Sequence, residues 1–193
     1  MSTPNMGDSG NCIVILQRHF GEREIHTGVE IGVHRGALSA KLLAAFPELT
    51  LCMVDPWTEH AESEPYRQTG DVCSQFTSQQ QQENRAAAEL ATKPFAGRRL
   101  IIAMPSHKAV LRIPYRRISF AFIDGSHAYA DAVQDIADWW PKIEPGGLLV
   151  GHDYGHSTFT GVKQAVDEFF AREGLACGFE GSCWWIAKPF PAE

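Results

Sequence analysis

No apolar run in this chain approaches the ~20 residues needed to span a bilayer. No Cys-x-x-Cys pair occurs, and basic residues are outnumbered by acidic ones. The first shortage argues against a membrane partner. The second, with an odd count of 5 cysteines (Cys12, Cys52, Cys73, Cys177 and Cys183), argues against a disulfide framework or a structural zinc site. Reduced thiols in the cytoplasm are the simpler expectation. The third leaves 17 Lys and Arg against 23 Asp and Glu, a net charge of −6. That balance disfavours nucleic acid, whose binding needs a basic face to release counterions. There is no internal repeat, and Gln79 to Gln82 is the one low-complexity patch. The N-terminal stretch is polar and rich in Gly and Ser through Asn11, without a basic–apolar leader pattern. Residues 1–18 therefore read as a flexible lead and residues 19–193 as a single domain.

What is present is an alternation of short apolar runs with helix-length amphipathic segments. Apolar runs end at Gly32, Asp55, Met104, Asp124 and Val150. Between them, Leu38, Leu42, Ala45 and Phe46 share one helical face, as do Val133, Ile136, Ala137 and Trp140. Ser78 to Thr92 and Thr160 to Arg172 have helical composition, and Ser106 to Leu111 reads as a short helix or turn. Pro145-Gly146-Gly147 reads as a turn before a strand, and the tail from Ala176 to Ala187 as two short strands around Gly181. Trp184 and Trp185 in that tail suit either the core or the interface of a homodimer. The fold class is α/β: a Rossmann-like, mostly parallel sheet with right-handed crossovers and helices on both faces. Ligands of such sheets bind beyond the carboxyl ends of the strands.

Two constellations fall at those ends. The first is Glu30-Ile31-Gly32-Val33-His34-Arg35-Gly36 followed by Asp55. Gly32 allows close backbone approach to a ligand, Gly36 opens a helix tightly, and Asp55 can accept both hydroxyls of a ribose. The Gly-x-x-x-Gly spacing is not the Gly-x-Gly-x-x-Gly of a dinucleotide site. Glu30 would repel a pyrophosphate but favour an ammonium and a sulfonium. The reading is therefore S-adenosylmethionine. A nucleoside-binding protein without methyl transfer and an NAD-dependent oxidoreductase are the alternatives, the latter disfavoured by the glycines.

The second constellation is Asp124-Gly125-Ser126-His127 with His152-Asp153. Two carboxylates and an imidazole, Asp124, His152 and Asp153, suit a divalent cation that keeps open positions for oxygen ligands. His127 can reach the same crevice and take a proton as a general base. Residues Pro56 to Phe76 are irregular and polar with interspersed aromatics, and Trp57, Tyr66 and Phe76 are candidate walls for an acceptor pocket.

The ordered motifs Val-Glu-Ile-Gly-Val-His-Arg-Gly, Val-Asp-Pro-Trp, Phe-Ile-Asp-Gly-Ser-His-Ala-Tyr, Pro-Gly-Gly-Leu-Leu-Val-Gly-His-Asp-Tyr and Gly-Val-Lys-Gln-Ala-Val-Asp-Glu-Phe resemble a class I S-adenosylmethionine-dependent methyltransferase. Within that superfamily the chain is most similar to the small metal-dependent O-methyltransferases of the catechol and macrolide-sugar types. The resemblance runs from about Thr27 to Lys188. It implies a seven-stranded sheet with the last strand antiparallel. It implies Glu30, Gly32 and Gly36 along the methionine part of the cofactor, Asp55 on the ribose, Ser106 by the adenine, and Asp124 bordering the cofactor. It implies Asp124, His152 and Asp153 as metal ligands and His127 as the base, with a small hydroxylated molecule as acceptor. Relatives usually carry a carboxylate where His152 stands. An imidazole makes the site softer, so Mn²⁺, Fe²⁺ or Zn²⁺ join Mg²⁺ as expected ions.

Overall fold

The computed structural model describes residues 10–114 and 116–191. The chain runs α1 (Gly10–Phe20), β1 (Thr27–Ile31), α2 (Ala37–Ala45), β2 (Thr50–Val54), α3 (Ser78–Ala91), β3 (Arg99–Ile102), α4 (Ser106–Ala109), β4 (Ile118–Ile123), α5 (Tyr129–Trp139), β5 (Ile143–Gly151), α6 (Thr160–Glu173), β6 (Cys177–Glu180) and β7 (Cys183–Ala187). The seven strands form one sheet in the order β3-β2-β1-β4-β5-β7-β6. Strands β1 to β5 pair in parallel, and β7 runs antiparallel to both β5 and β6. This is the mostly parallel sheet with an antiparallel last strand that the motifs imply.

Burial explains the pattern. Every residue of β4 (Ile-Ser-Phe-Ala-Phe-Ile) is buried, as a central parallel strand covered on both faces requires. On one face, α1 contributes Cys12, Ile15, Leu16 and Phe20, and α2 contributes Leu38, Leu42 and Leu43. On the other, Ala132, Ile136 and Trp139 of α5 and Val162, Val166 and Phe169 of α6 close the second core layer. The glutamine patch lies in α3, whose start is fixed by a capping box between Thr77 and Gln80. Trp184 is buried in one core layer and Trp185 packs, partly buried, against the other.

Two expectations need correction. From Gly10 onward the supposed flexible lead is helix, anchored because Cys12, Ile15 and Leu16 form an apolar stripe against the sheet. Residues 1–9 lie outside the described residues. Pro145-Gly146-Gly147 is not a turn before β5 but part of it. The pairing with β4 shifts from Ile118↔Ile143 to Phe120↔Leu148, so the extra residues form a bulge that Gly146 accommodates at φ 78°.

The site is placed by the sheet order. Connections leave β1 toward β2 and β3 on one side and continue from β4 toward β5 on the other, which opens a crevice at the carboxyl ends of β1 and β4. Backbone bonds carry the ladder past the strand ends: Asp124 N–H donates to Ile31 O (2.9 Å) and His152 N–H to Ile123 O (3.1 Å). Residues from three strand ends are thereby set side by side.

Candidate active site

Gly32 follows β1 at φ 88°, and a Cβ there would lie 2.0 Å from the carbonyl oxygen of Asp124. Only glycine fits where these two loops touch. Gly36 precedes α2 at φ 74°, with α3 so near that a Cβ would stand 2.9 Å from Ala88 Cα. The result is a tight cradle at the head of α2.

Asp55 ends β2 and reaches across to that cradle. Its Oδ2 accepts the His34 N–H (2.9 Å) and its Oδ1 the Trp57 N–H (2.8 Å). Burial raises its carboxyl above the usual carboxylate range, and the backbone amides of His34, Trp57 and Val33 oppose that rise. Each carboxylate oxygen has a second lone pair, so Asp55 can hold the loop and still accept from a ribose.

Glu30 departs from its expected role. It lies within β1, 2% exposed, and accepts a short hydrogen bond from the Ser39 hydroxyl. Burial pushes its carboxyl up to about 8, so it is neutral at pH 7 and is not an open charge at the crevice. Ser106 also departs. Its hydroxyl accepts from Trp139 Nε1 (2.8 Å) and bonds the buried Asp135, whose carboxyl burial raises to about 7. The side chain thus ties α4 to α5. Trp57 belongs to the core: it is 6% exposed and its Nε1 donates to His34 O (2.8 Å). Phe76 stacks on the His34 ring, with centroids 5.6 Å apart.

Asp124, His152 and Asp153 do converge. They offer one ligand atom each, all within 4.8 Å of one another. His152 Nδ1 lies 3.2 Å from Asp153 Oδ2 and 3.8 Å from Asp124 Oδ1. Its Nε2 meets the Ser182 hydroxyl at 2.8 Å, which fixes the ring with Nδ1 facing the carboxylates. Asp153 adopts φ 60°, a left-handed conformation that costs an ordinary residue energy and clusters at functional sites. Burial raises its pKa, but His127 and His152 outweigh that and hold it well below the carboxylate range.

His127 closes the group. Its Nε2 is 2.9 Å from Asp153 Oδ2 and 4.0 Å from Asp124 Oδ1, and its Nδ1 is 3.1 Å from Asp71 Oδ2. Neither ring nitrogen is aligned with a partner as a hydrogen bond, so these are contacts between charges. Burial acts to lower the His127 pKa, yet Asp124, Asp153 and Asp71 together push it up to about 11. Beside His127 runs a groove of about 380 Å³ whose walls include Gln68, Thr69, Thr158, Thr160 and Gln164. None of its lining residues is Lys, Arg, Asp or Glu.

Three contributors were not foreseen: Asp71, Tyr66 as a hydrogen-bond donor, and Ser182. Asp71 and Tyr66 sit in an irregular segment without periodicity. Ser182 sits in the Gly-Ser turn of the last hairpin, where a turn residue needs no other explanation. Only the glycines before two of them, Gly70 ahead of Asp71 and Gly181 ahead of Ser182, offer a sequence hint.

The comparisons with known proteins agree with this geometry. A family defined as a methyltransferase domain matches residues 29–154, from β1 to just past Asp153. No curated protein sequence matches the chain. Among solved structures, the O-methyltransferase NovP superposes with a TM-score of 0.65 at 16% identity, covering 94% of this chain and 79% of NovP. The calicheamicin methyltransferase CalS11 gives 0.68 at 12% identity, covering 92% and 77%. A protein from Corynebacterium glutamicum gives 0.68 at 13%, covering 100% and 85%. At such identities the likeness is one of fold. The family match spans well over half of the chain and takes in both strand-end constellations, and on that ground this protein belongs to the methyltransferase domain family, in the class I fold shared with the small O-methyltransferases.

Proposed function

We propose that the protein transfers a methyl group from S-adenosylmethionine to a hydroxyl of a small molecule, with His127 as base and a divalent cation on Asp124, His152 and Asp153. The observation that carries this reading is the convergence of those three ligand atoms within 4.8 Å, at the strand ends that Gly32 lets come together.

S-adenosylmethionine supplies an electrophilic methyl group on a sulfonium. Gly32 and Gly36 would border its methionine part and Asp55 its ribose. The chemistry breaks the methyl–sulfur bond and forms a carbon–oxygen bond. It yields a methyl ether and S-adenosylhomocysteine and releases the hydroxyl proton. His127, whose Nε2 faces Asp124 and Asp153, would receive that proton. When bound, a divalent cation would supply charge that lowers the pKa of a hydroxyl and takes over the carboxylates that otherwise keep His127 protonated. The imidazole of His152 favours Mn²⁺, Fe²⁺ or Zn²⁺ beside Mg²⁺. The hydrogen-bonding groove beside His127, with its threonine and glutamine walls, suits a hydroxylated acceptor. A cytoplasmic location accords with five free cysteines.

The test is transfer of labelled methyl from S-adenosylmethionine to a panel of neutral phenols, catechols and sugars, with Mn²⁺ and with chelator. Label in a methyl ether that disappears on chelation is expected. A protein that binds NAD, ignores S-adenosylhomocysteine and labels nothing would overturn the reading.

A further inference from the structure

We propose that Asp71, on the segment between β2 and α3, is a positioning residue that holds the His127 ring so that its Nε2, and not a ring carbon, faces the Asp124–Asp153 pair. The proposal rests on the reading of His127 as the base.

Asp71 is 7% exposed. A buried carboxylate is tolerated only when its lone pairs are satisfied, and those of Asp71 are divided between two tasks. Oδ1 accepts the Cys73 N–H at 2.8 Å and so caps the turn Val72–Gln75. Oδ2 receives a short hydrogen bond from the buried Tyr66 hydroxyl and lies 3.1 Å from His127 Nδ1. One oxygen therefore serves the local backbone and the other serves the imidazole.

The rest of the surroundings restricts the ring further. Phe159 stacks on one face, with centroids 4.2 Å apart and planes 20° from parallel. Tyr66 meets the ring edge-on at 6.0 Å. Held between them, the imidazole can rotate little. A flip about Cβ–Cγ would put Cδ2 and Cε1 where Nδ1 and Nε2 stand and take both charged contacts, with Asp71 and with Asp153, away. With Asp71 in place, Nδ1 stays on the side of the β2–α3 segment and Nε2 is the nitrogen turned to the crevice. This is the part a buried aspartate plays toward histidine in hydrolase triads, where it sets tautomer and orientation. Pro65, Gln68 and Thr69, just upstream on the same segment, line the groove. The stretch that meets an acceptor thus also orients the base.

The division of labour between the two oxygens separates this role from a merely structural one. Asp71→Asn keeps an Oδ1 acceptor for Cys73 and places a neutral amide against Nδ1. Asp71→Ser keeps a capping hydroxyl and is too short to reach the ring. Each variant, including its pairing with His127→Ala, is assayed with S-adenosylmethionine and a labelled acceptor. The expected result is a kcat loss of about 100-fold or more, the range for outer partners of working histidines. Both KM values should stay within about threefold, and neither substitution should add a loss in the His127→Ala background. Independently of turnover, nitrogen-15 NMR of the imidazole should show shifted His127 ring signals in both variants and unshifted signals for the other histidines. An unchanged kcat in a folded Asp71→Asn protein, or unchanged His127 ring signals, would overturn the proposal. A wild-type chain that transfers no methyl but shows the ring shifts would instead fault the functional reading and leave the pairing standing.

Discussion

Replacing Gly32 with alanine strikes the point where the two strand-end loops meet, and the structure supplies the size of the effect. The backbone there has φ 88°, and the new Cβ would sit 2.0 Å from a carbonyl oxygen. Left-handed backbone costs a non-glycine residue about 1–2 kcal/mol. The contact is more than an ångström inside normal van der Waals separation and falls on backbone, so the end of β4 must move. Forced displacement of packed structure costs a further ~1–3 kcal/mol. A total near 3 kcal/mol is a large share of the ~5–15 kcal/mol that stabilises a typical domain. Gly21 is the control: its φ is 58° and a Cβ there meets nothing within 4 Å, so Gly21→Ala pays the strain alone, about 1 kcal/mol. Urea unfolding of both variants, with slopes compared to the wild type, measures the difference. The reasoning predicts that Gly32→Ala loses about 2 kcal/mol more than Gly21→Ala, together with S-adenosylhomocysteine binding. Equal losses in the two variants would refute the close approach of β1 and β4 on which the site depends.

Arg98 donates to the carbonyls of Leu43 and Phe46 at the end of α2 and of Leu49 just before β2, so Arg98→Ala should lower stability by roughly 2 kcal/mol in chemical denaturation. Glu30 is held protonated by burial, with its pKa moved from 4.5 to about 8. Below 4.5 both folded and unfolded chains keep that proton, and as pH rises toward 8 only the unfolded chain loses it. Stability should therefore fall across that window, and Glu30→Gln, which keeps a partner for Ser39, should flatten the fall in unfolding midpoints taken from pH 4.5 to 8. Asp135, raised to about 7 by burial, contributes a remaining slope of the same sign. Ser182 holds His152 Nε2, so Ser182→Ala should weaken Mn²⁺ binding about tenfold or more by calorimetry while leaving S-adenosylhomocysteine binding unchanged.

Much of the architecture could be read in advance because its signals are local and periodic. The all-apolar Ile118–Ile123 run and the stripe Val133, Ile136, Trp140 can hardly form other elements. The convergence of Asp124, His152 and Asp153 was also legible, since parallel strands all deliver their ends to one edge. What escaped notice depends on partners far along the chain. The apolar stretch Cys12–Leu16 gains its meaning from a sheet face built later in sequence. Glu30 looks like a strand-end charge until the neighbouring strands and Ser39 enclose it. Ser106 follows a strand end, where the resemblance puts the adenine, yet Trp139 and Asp135 engage its hydroxyl. Pro145-Gly146-Gly147 is turn-forming by composition, but pairing on both sides draws it into β5 as a bulge. Asp71 lies in a stretch without periodicity, so only the folded loop shows that it meets His127.

The account turns on what the crevice between β1 and β4 accepts, and calorimetric titration of the purified chain answers that directly. S-adenosylhomocysteine should bind at one site per chain, Asp55→Ala should weaken it at least tenfold with the fold intact, and NAD should give no binding heat. Saturable NAD binding, with no response to S-adenosylhomocysteine, would contradict it.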